Sequence, residues 1–346
     1  MIQTPADLDV LVPNFKRRLS GVTATIVRLV PLQAQSMQLA AVGGGMPDHV
    51  PQISLWSLLT LPRRKTRVWH ARRNTEMLAG LVLKHVLRKR LRLVFTSASQ
   101  RIHTGYTKWL IDRMDHVIAT SARTAAYLSV PHDVILHGID TDQFRPGDRA
   151  ALRAQLDLPD GPLIGCFGRI RAQKGTGDFV EAMLRVLPDH PNAHAIIMGR
   201  ATEQHLTYER GLKTRIAEAG LSDRIRFLPE VPVSDIAAYY AALDLFVAPQ
   251  RWEGFGLTPL EAMACGVPVI ATTVGAFPEL IVPGETVALI TPEDVTAMAD
   301  AIETALAAPD QLSRQGQAAR AHVEARFRIE DEAEAIMAIY RRLLSP

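Results

Sequence analysis

The sequence predicts an α/β protein built from two doubly wound, Rossmann-like domains that face each other across a cleft. Short apolar stretches alternate with stretches of helical spacing, and a polar segment rich in Gly and Pro near residue 140 interrupts this alternation before it starts again. The length of 346 residues is enough for two domains of ordinary size. Apolar residues make up 47% and charged residues 22% of the chain, which is typical of a folded globular protein and excludes a disordered one.

The first half of the chain reads as alternating strands and helices. The predicted strands cover residues 9–13, 66–71, 91–97, 116–120 and 133–136. The predicted helices cover residues 21–35, 74–88, 106–113 and 122–128. Because strands and helices alternate, we expect a parallel sheet with helices on both faces.

The second half repeats this pattern after the segment 137–148, HGIDTDQFRPGD, which is typical of a connection between domains. Its predicted strands cover residues 163–167, 195–198, 225–228, 245–248, 267–271 and 288–290, and a helix at 176–187 follows the first of them. From about residue 292 onward only helices are predicted. We therefore assign residues 1–145 to an N-terminal domain, residues 146–325 to a C-terminal domain, and residues 326–346 to a crossover helix that packs back toward the N-terminal domain.

Charge is distributed unevenly along the chain. Residues 1–150 carry 21 Lys and Arg against 10 Asp and Glu, a formal charge of +11, whereas residues 151–346 carry 18 against 26, a charge of −8. A basic half indicates an anionic partner, and the alternative is a solvated surface of uneven charge. No apolar run reaches membrane-spanning length, the polar N-terminus predicts no secretory signal, and Cys166 and Cys265 fall in predicted buried segments, which together favour the cytoplasm.

The most informative stretch is residues 249–271, PQRWEGFGLTPLEAMACGVPVIA. Glu253 precedes a glycine-rich turn, and Glu261 follows on a predicted helix that Thr258 would cap and Gly266 would end. Glycines let the backbone approach a ligand closely, and the first amides of a helix bind anions. We therefore expect an anionic ligand at this turn. The alternatives are that Glu261 closes a capping box with Thr258 and that Glu253 is an exposed loop carboxylate.

A second group of candidate residues follows the predicted strand 163–167. Gly168 allows a tight exit from the strand, Arg169 suits bidentate phosphate binding, and Lys174 adds a mobile charge near a helix start. The next strand places Arg200 at the same edge of the sheet. Two cations after a buried strand would clamp a diphosphate, and the alternative is a pair of surface cations in a loop.

These motifs resemble the retaining glycosyltransferases of family 4. The resemblance rests on EGFGLTPLEAMACGVPVIA, on the Gly-Arg and Lys-Gly steps at 168–169 and 174–175, and on the linker HGIDTDQFRP. It covers residues 130–345 strongly and the rest of the chain weakly. It implies the two-domain GT-B fold, a nucleotide-sugar donor, and transfer with retention at the anomeric carbon through an oxocarbenium-like transition state.

The resemblance implies a role for each matching residue. Glu261 would bind the ribose hydroxyls of the donor, and Glu253 would contact the transferred sugar. Arg169 and Lys174 would hold the diphosphate and stabilise the charge that it gains as the glycosidic bond breaks, so that these two cations and Glu253 form the predicted catalytic group. The remaining donor-binding positions are Gly168, Arg200, Phe255, Gly256 and Leu257.

The N-terminal domain should bind the acceptor. The residues that we assign to acceptor binding are Arg17, Arg18, Gly21, His70, Arg72, Arg73 and His103. Clusters of cations suit an acceptor with carboxylates or phosphates. Since cations are disfavoured at a helix N-terminus, Arg72 and Arg73 favour a bound anion, and the alternative is an ordinary helix surface. The segment 95–100, FTSASQ, lacks the acid or base of many family members, so the proton acceptor would be His103 or the departing phosphate.

Two further segments have alternative interpretations. The basic runs 62–65 and 84–92 are candidate contacts for anionic lipid headgroups, to which each cation contributes about 1 kcal/mol, or they are charged helix faces. The triplet Asp140-Thr141-Asp142 matches the Asp-x-Asp signature of metal-dependent sugar transferases. Because it lies in the linker of a fold that uses Arg and Lys for phosphates, we interpret it as a turn and expect no metal and no cofactor.

Within the family, the segments KRRLSGVT, HARRN and FTSASQRIHTGYTKWLIDRMD look most like lipopolysaccharide-core mannosyltransferases of Gram-negative bacteria. This implies a hexosyltransferase, peripheral on the cytoplasmic face of the inner membrane, that uses GDP-mannose and an anionic glycolipid such as Kdo-bearing lipid A. The alternatives are another nucleotide-sugar hexosyltransferase of envelope or exopolysaccharide synthesis, a sugar-nucleotide epimerase, and a nucleic-acid-binding protein. The basic segments lack the interleaved aromatics that the last class uses.

Overall fold

The structure is a computed structural model that describes residues 4–16 and 21–345. It contains two compact units, the first formed by Met1–His137 with Ile329–Pro346 and the second by Gly138–Arg328. The chain therefore enters the second unit at residues 137–138 and returns to the first at 328–329. The sequence-based borders, at 145–146 and 325–326, lie eight residues after the first crossing and three residues before the second, and the latter border falls at the end of the helix Pro309–Arg326.

A parallel sheet forms the centre of the first unit. Its strands within the described residues are β1 (Val10–Pro13), β2 (Leu39–Val42), β3 (Gln52–Ile53), β4 (Arg67–Ala71), β5 (Leu91–Ser97), β6 (His116–Ala119) and β7 (Asp133–Val134). Their order across the sheet is β3-β2-β1-β4-β5-β6-β7. The order reverses between β1 and β4, which is the switch point of a doubly wound sheet.

A second parallel sheet forms the centre of the second unit. Its strands are β8 (Leu163–Phe167), β9 (His194–Met198), β10 (Ile225–Leu228), β11 (Leu245–Ala248), β12 (Val269–Thr272) and β13 (Val287–Ile290). They lie in the order β10-β9-β8-β11-β12-β13, so the switch point falls between β8 and β11. The two doubly wound α/β sheets confirm the predicted fold class.

Helices connect these strands and cover both sheets. Those in the part of the chain that the structure describes are α1 (Gly21–Gln33), α2 (Ser57–Thr60), α3 (Asn74–His85), α4 (Gly105–Ile111), α5 (Ala122–Ala125), α6 (Arg149–Gln155), α7 (Thr176–Val186), α8 (Leu206–Glu218), α9 (Ile236–Ala241), α10 (Thr258–Ala264), α11 (Phe277–Leu280), α12 (Val295–Ala307), α13 (Pro309–Arg326) and α14 (Ile329–Leu344). Among residues 4–16 and 21–345, no helix combines the length and the apolar character needed to cross a bilayer.

The first unit buries one apolar cluster on each face of its sheet. On one face, α1 and α14 pack against the strands, with Ile26, Met337 and Tyr340 in the core. On the other face, α2, α3 and α4 contribute Leu58, Leu81 and other side chains to a separate cluster around Trp69. The C-terminal helix therefore packs within the first unit, which confirms the prediction that it returns to the N-terminal domain.

Strands β2 and β3 were absent from the sequence-based prediction, which was wrong for residues 39–53. Half of β2 is alanine, a residue that is depleted in strands, and β3 has only two residues. The β2 segment is held extended by parallel pairing with β1, in the register Val10↔Leu39 to Pro13↔Val42. This pairing joins residues about 30 positions apart, so no local pattern indicates it.

Strand β12 begins two residues later than predicted because the end of α10 uses the intervening backbone. Gly266 has a left-handed φ of 72°, and its amide donates to the Met263 carbonyl at 2.9 Å. The Val267 amide donates to the Ala262 carbonyl at 3.1 Å. These two bonds form a Schellman motif, and the chain becomes extended only after it closes.

Candidate active site

The loops after β8 and β11 meet at the switch point of the second sheet. Gly175 has a φ of +71°, and a Cβ at this position would lie 1.7 Å from the Pro249 carbonyl oxygen. The Arg251 amide donates to the Gln173 carbonyl at 3.1 Å. Glycine is therefore required at residue 175, because only a residue without a side chain lets the two loops come this close.

Lys174 and Glu253, which lie 79 residues apart in sequence, form an ion pair where these loops meet. The Lys174 Nζ donates to Glu253 Oε2, and the Gly254 amide donates to Glu253 Oε1 at 3.0 Å. Both side chains are about one-fifth exposed or less. The structure thus brings together two of the three residues that we predicted to form the catalytic group, and it places their opposite charges in contact.

Two glycines shape the backbone around Glu253. Gly256 has a φ of +87°, and a Cβ there would meet the Phe277 ring at 2.3 Å and Glu253 Cγ at 2.8 Å. Gly275 has a φ of +58°, and a Cβ there would lie 2.9 Å from the Phe255 carbonyl oxygen. The turn from residue 253 to 257 is therefore packed closely against the loop that follows β12, which fixes the Glu253 backbone.

Helix α10 starts one residue earlier than the Thr258 cap predicts. Thr258 is its first helical residue, and Leu257 occupies the N-cap position without a side-chain hydrogen bond. The Thr258 hydroxyl is buried and has no hydrogen-bond partner among the described residues. The prediction that Thr258 caps this helix was therefore wrong. The N-cap residue, Leu257, has no side chain that could accept a hydrogen bond from the first amides of the helix.

The Glu261 carboxylate has a partner that the sequence did not indicate. Tyr240 is fully buried on α9, and its Oη donates to Glu261 Oε2 at 2.7 Å. Burial, followed by the charge of Glu261, raises the pKa of Tyr240 well above 10, so the phenol stays protonated and remains a donor. Tyr240 therefore orients the carboxylate, which the capping-box alternative did not foresee.

We expect Tyr240→Phe to raise the KM for the donor about 3- to 10-fold with little change in kcat, because it removes one hydrogen bond that positions Glu261. Steady-state kinetics at varied donor concentration measure this split. Tyr239→Phe, on the same helix and partly exposed, is the matched control and should leave both constants unchanged. An equal loss of kcat in the Tyr240 variant with an unchanged KM would contradict the positioning role.

Arg251 holds the loop after β11 in place. Its guanidinium makes a bidentate pair with Asp178 at 2.8 and 2.6 Å, and a further ion pair with Glu293 at 2.9 Å. The hydrogen bonds to Asp178 raise the pKa of Arg251. Sequence reasoning missed this pair, since Asp178 lies in the first turn of α7 and no spacing connects it with Arg251. The pair ties the start of α7 to the segment that carries Glu253.

Arg169 and Arg200 extend from the ends of β8 and β9. Both are exposed, and Arg200 Nε lies 3.4 Å from Glu230 Oε2. The strand exits are close together, since a Cβ at Gly199 would lie 1.8 Å from the Gly168 carbonyl oxygen. The predicted donor residues therefore follow adjacent strands of one sheet edge, and their individual roles stay predictions.

In the first unit, the cations after β4 are balanced by a carboxylate. Glu76 is buried, accepts from the Arg72 amide at 2.8 Å and forms an ion pair with Arg73 at 2.6 Å. Arg73 also donates to Asn14 Oδ1 at 2.9 Å. Glu76 therefore offsets the charge of Arg73, so this residue needs no bound anion to explain its position, and the acceptor roles of Arg72 and Arg73 stay predictions. Arg72 still has a buried Nη1 without a partner among the described residues.

His70 lies in the interior of the first unit. It is fully buried, Nδ1 is 2.5 Å from Tyr340 Oη, and Nε2 is 2.6 Å from Thr96 Oγ1. Burial, with a smaller contribution from Arg72, lowers the pKa of His70 well below 6.5, so the ring is neutral. Direct contact between His70 and an acceptor, as we predicted, is incompatible with this burial. The hydrogen bonds of the His70 ring are made to the hydroxyl groups of Tyr340 and Thr96.

We expect the buried His70 to make stability depend on pH. Its folded-state pKa lies below the unfolded value, so the unfolded chain binds the proton first and stability is lost as the pH falls below 6.5. His70→Gln should reduce this slope by up to about 1.4 kcal/mol per pH unit, measured as the free energy of unfolding in urea between pH 7 and pH 5. Exposed His49→Gln is the control. Parallel curves for the wild type and the His70 variant would contradict the assignment.

The other acceptor-side residues occupy separate positions. Gly21 is the first residue of α1, and Arg17 and Arg18 lie outside the described residues. His103 lies in the loop between β5 and α4, where burial, followed by the charge of Lys108, lowers its pKa. Its Nε2 is buried and unpartnered within the described ranges, so a neutral ring nitrogen is present at the carboxyl side of β5.

Asp140 is engaged in a turn. Its Oδ1 accepts from the amides of Asp142 and Gln143 at 3.0 and 2.9 Å. An Asp side chain that bonds the backbone two and three residues on is typical of an Asx turn. In the part of the chain that the structure describes, no group of three or more His, Cys, Asp or Glu side chains is arranged to hold a metal ion.

Comparison with known proteins identifies the class to which this fold and site belong. Residues 148–322, which include β8 to β13 and the Lys174–Glu253 pair, match the family described as "Glycosyl transferases group 1". The chain belongs to this family, and it is a glycosyltransferase. The resemblance that rested on the motifs around Glu253 and Arg169 is thereby confirmed.

Individual relatives cover the chain almost completely. It is 52% identical to the lipopolysaccharide core biosynthesis mannosyltransferase LpsB of Rhizobium meliloti (strain 1021), over 98% of each chain. It is 50% identical to the lipopolysaccharide core biosynthesis mannosyltransferase LpcC of Rhizobium leguminosarum bv. viciae, over 98% of this chain and 97% of the relative. The solved structure of HepE from Anabaena in complex with UDP is 21% identical, with a TM-score of 0.84 over 97% of this chain and 100% of that chain, and this likeness shows the fold.

Proposed function

We propose that this glycosyltransferase moves a mannosyl group from GDP-mannose to an anionic, lipid-linked acceptor such as the Kdo–lipid A inner core of lipopolysaccharide, with retention at the anomeric carbon. Support comes from the two full-length relatives whose names describe lipopolysaccharide-core mannosyltransferases. The observation that carries the proposal within the chain is the Lys174–Glu253 pair at the switch point of the second sheet.

The pair couples the two ends of the donor. Without donor, the Lys174 ammonium neutralises the Glu253 carboxylate. The diphosphate of an arriving donor competes for the ammonium, which has three N–H donors to share. Glu253 then has an oxygen available for a hydroxyl of the transferred sugar, while its other oxygen stays on the Gly254 amide. Binding of the diphosphate thus prepares the sugar end.

Catalysis rests on electrostatic stabilisation of the transition state. As the bond between the anomeric carbon and the diphosphate lengthens, negative charge accumulates on the departing phosphate, and Lys174 and Arg169 stabilise it. The charge on the sugar becomes positive, and the nearby Glu253 carboxylate stabilises that charge. The Arg251–Asp178 pair keeps both loops in register, so little reorganisation accompanies the transition state.

The ribose of the donor lies at α10. Glu261 is partly exposed and is held by Tyr240, so it presents an oriented acceptor to two hydroxyl groups. The uncapped start of the same helix offers amides to the phosphates. The basic first half of the chain, with a formal charge of +11 over residues 1–150, attracts the carboxylates and phosphates of the acceptor.

A transfer assay tests the proposal directly. The protein is incubated with GDP-mannose and detergent-dispersed Kdo–lipid A, and the product is analysed by mass spectrometry and by the anomeric coupling in its NMR spectrum. We expect the acceptor to gain one hexose with the donor's anomeric configuration. Transfer from UDP- or ADP-sugars but not from GDP-mannose would overturn the assignment of GDP-mannose as the donor. Inversion of the anomeric configuration would overturn the retaining mechanism.

Omitting the acceptor separates the proposal from the epimerase alternative. Without acceptor, a transferase at most hydrolyses the donor slowly to free sugar, whereas an epimerase converts the donor into an isomeric nucleotide sugar. Glu253→Gln should abolish acceptor-dependent product, since it removes the charge that pairs with Lys174 and faces the transferred sugar. Isomerised donor in the absence of acceptor would contradict the assignment.

A further inference from the structure

Large apolar side chains are concentrated on one outer face of the first unit. Of the fourteen that are exposed among the described residues, nine lie between residues 55 and 109. They are Leu55, Trp56, Leu59, Leu78, Val82, Val86, Ile102, Tyr106 and Trp109. Single exposed apolar residues are common, but a concentration of this kind marks an interaction surface.

These residues belong to one layer of the fold. Helices α2, α3 and α4 pack their inner sides on the same apolar cluster, so their outer sides form a common face. Hydrogen bonds join neighbouring elements of the layer, from Lys89 Nζ to the Leu59 carbonyl at 2.9 Å and from Asn74 to Thr107 at 2.8 Å. We call this surface, formed by the outer sides of residues 54–113, the α2–α4 face.

The apolar residues of the α2–α4 face are arranged as ridges. Leu78, Val82 and Val86 follow one another at intervals of four along α3 and its end, which places them on one stripe of the helix. On α4, the rings of Tyr106 and Trp109 are stacked with centroids 6.3 Å apart. Trp56, at the start of α2, is 77% exposed. Aliphatic ridges with aromatic rings beside them suit insertion at the boundary of headgroups and acyl chains.

Charge on the α2–α4 face is almost entirely positive. Residues 54–113 contain 14 Lys and Arg, of which Arg67 and Lys89 are buried, against two Asp and Glu, of which Glu76 is buried. Asp115, just beyond this range, pairs with Lys84 and Arg92. The exposed cations include Arg63, Arg64, Arg88 and Arg90, at the loops that precede β4 and β5. An apolar protein partner would not require this charge, and a nucleic acid would not require the aliphatic ridge on α3. An anionic lipid surface is complementary to both.

We infer that the α2–α4 face is a membrane-docking surface, which binds anionic phospholipid headgroups through its cations and inserts Trp56, Val86 and their apolar neighbours among the acyl chains. This surface deepens the proposed function and rests on it, because an enzyme with a lipid-linked acceptor binds that acceptor at a membrane surface. It identifies α2 and α4, in addition to the basic runs of the sequence, as lipid-contacting elements.

Vesicle binding by the full chain, without donor or acceptor, tests this surface. The probes are vesicles of phosphatidylethanolamine with phosphatidylglycerol and, for comparison, vesicles of phosphatidylcholine alone. We expect co-sedimentation with the anionic vesicles that weakens with added salt. Replacing Arg63, Arg64, Arg88 and Arg90 by Gln should lower the partition coefficient roughly 10²- to 10³-fold, since each cation near such a surface contributes about 1 kcal/mol.

A second variant tests insertion. Trp56→Ser with Val86→Ser should weaken binding to anionic vesicles at least about 10-fold and reduce the blue shift of tryptophan fluorescence, because both apolar contacts are lost. Leu206→Ser with Val233→Ser, which removes two exposed apolar side chains from the second unit, is the matched control and should bind as the wild type does. Unfolding midpoints of all variants are measured as well, and values equal to that of the wild type exclude a loss of structure.

The outcomes separate this inference from the proposed function. Absence of vesicle binding, equal binding to both vesicle types, or full binding by both surface variants would overturn the inference. The proposed function would then still stand if mannosyl transfer to detergent-dispersed acceptor persisted. Conversely, vesicle binding that depends on the α2–α4 face, without transfer from any nucleotide sugar, would retain the surface and overturn the function. We expect both surface variants to keep wild-type kcat on dispersed acceptor.

Discussion

Lys174→Ala should lower kcat for sugar transfer about 10²- to 10³-fold, the loss that follows removal of one charge-stabilising donor from a preorganised site. Lys174 lies at the switch point of the second sheet, in an ion pair with Glu253. Its removal takes away a cation that stabilises the departing diphosphate and leaves the Glu253 carboxylate without this ammonium. Single-turnover kinetics at saturating donor measure the chemical step.

The matched control for this variant is Lys213→Ala. Lys213 also forms an ion pair with a glutamate of the second unit, Glu209, at 2.6 Å, but on the surface of α8. Exposed pairs of this kind contribute little, so we expect its kcat to stay within about twofold of the wild type. If the two lysine variants lost the same activity, or if Lys174→Ala kept full kcat, Lys174 would have no special part in the reaction.

Glu261→Ala should raise the dissociation constant for the donor roughly 10- to 100-fold. A carboxylate that accepts two hydroxyl hydrogen bonds contributes about 1.5–3 kcal/mol. The same change leaves the buried Tyr240 hydroxyl without the Glu261 acceptor, so the free energy of unfolding should fall by about 1–3 kcal/mol. Isothermal titration and urea unfolding measure the two effects.

Glu261→Gln separates the two roles of this side chain. Glutamine keeps an oxygen that can accept from Tyr240, so stability should return close to that of the wild type. It lacks the charge that strengthens the ribose hydrogen bonds, so donor affinity should stay low. Recovery of both properties in the glutamine variant would show that Glu261 serves only as the partner of Tyr240, and its ribose role would then be withdrawn.

Local patterns predicted most of the fold because alternating sheets leave local signals. Strands such as Leu91–Ser97 and Leu163–Phe167 were predicted with the bounds that the structure has, since each is a short, mainly apolar run. The strand Leu39–Val42 escaped prediction because its alanines carry no strand preference and its pairing with β1 is non-local. Tertiary pairing decides such a segment.

Sequence motifs singled out the candidate donor-side residues, whose roles stay predictions, but they did not indicate the contacts among these residues. Glu253 and Lys174 each stand in a recognisable motif, whereas their contact spans 79 positions. Tyr240 and Asp178 carry no motif at all, and only the packing of α9 and α7 places them beside Glu261 and Arg251. Sequence spacing indicates which side chains share an edge of a sheet, but it does not indicate which of them are neighbours.

On the acceptor side, the sequence showed the charged residues but not their contacts. Cations at the start of α3 suggested a bound anion, and the structure shows that Glu76, one turn farther along the same helix, pairs with Arg73. The pattern was local and visible, but the orientation of the Glu76 side chain toward the Arg72 amide depends on its burial. His70 likewise looked available in sequence, and its burial between Thr96 and Tyr340 arises only from the return of α14.

Hydrogen exchange measured by mass spectrometry, with and without GDP-mannose, tests most directly whether the edge of the second sheet at β8 and β11 is the donor site. Bound donor should slow amide exchange in residues 168–175 and in residues 253–261, where the two loops meet and α10 begins. Unchanged exchange in both segments at saturating donor, or protection confined to the first unit, would show that the donor does not bind at this edge.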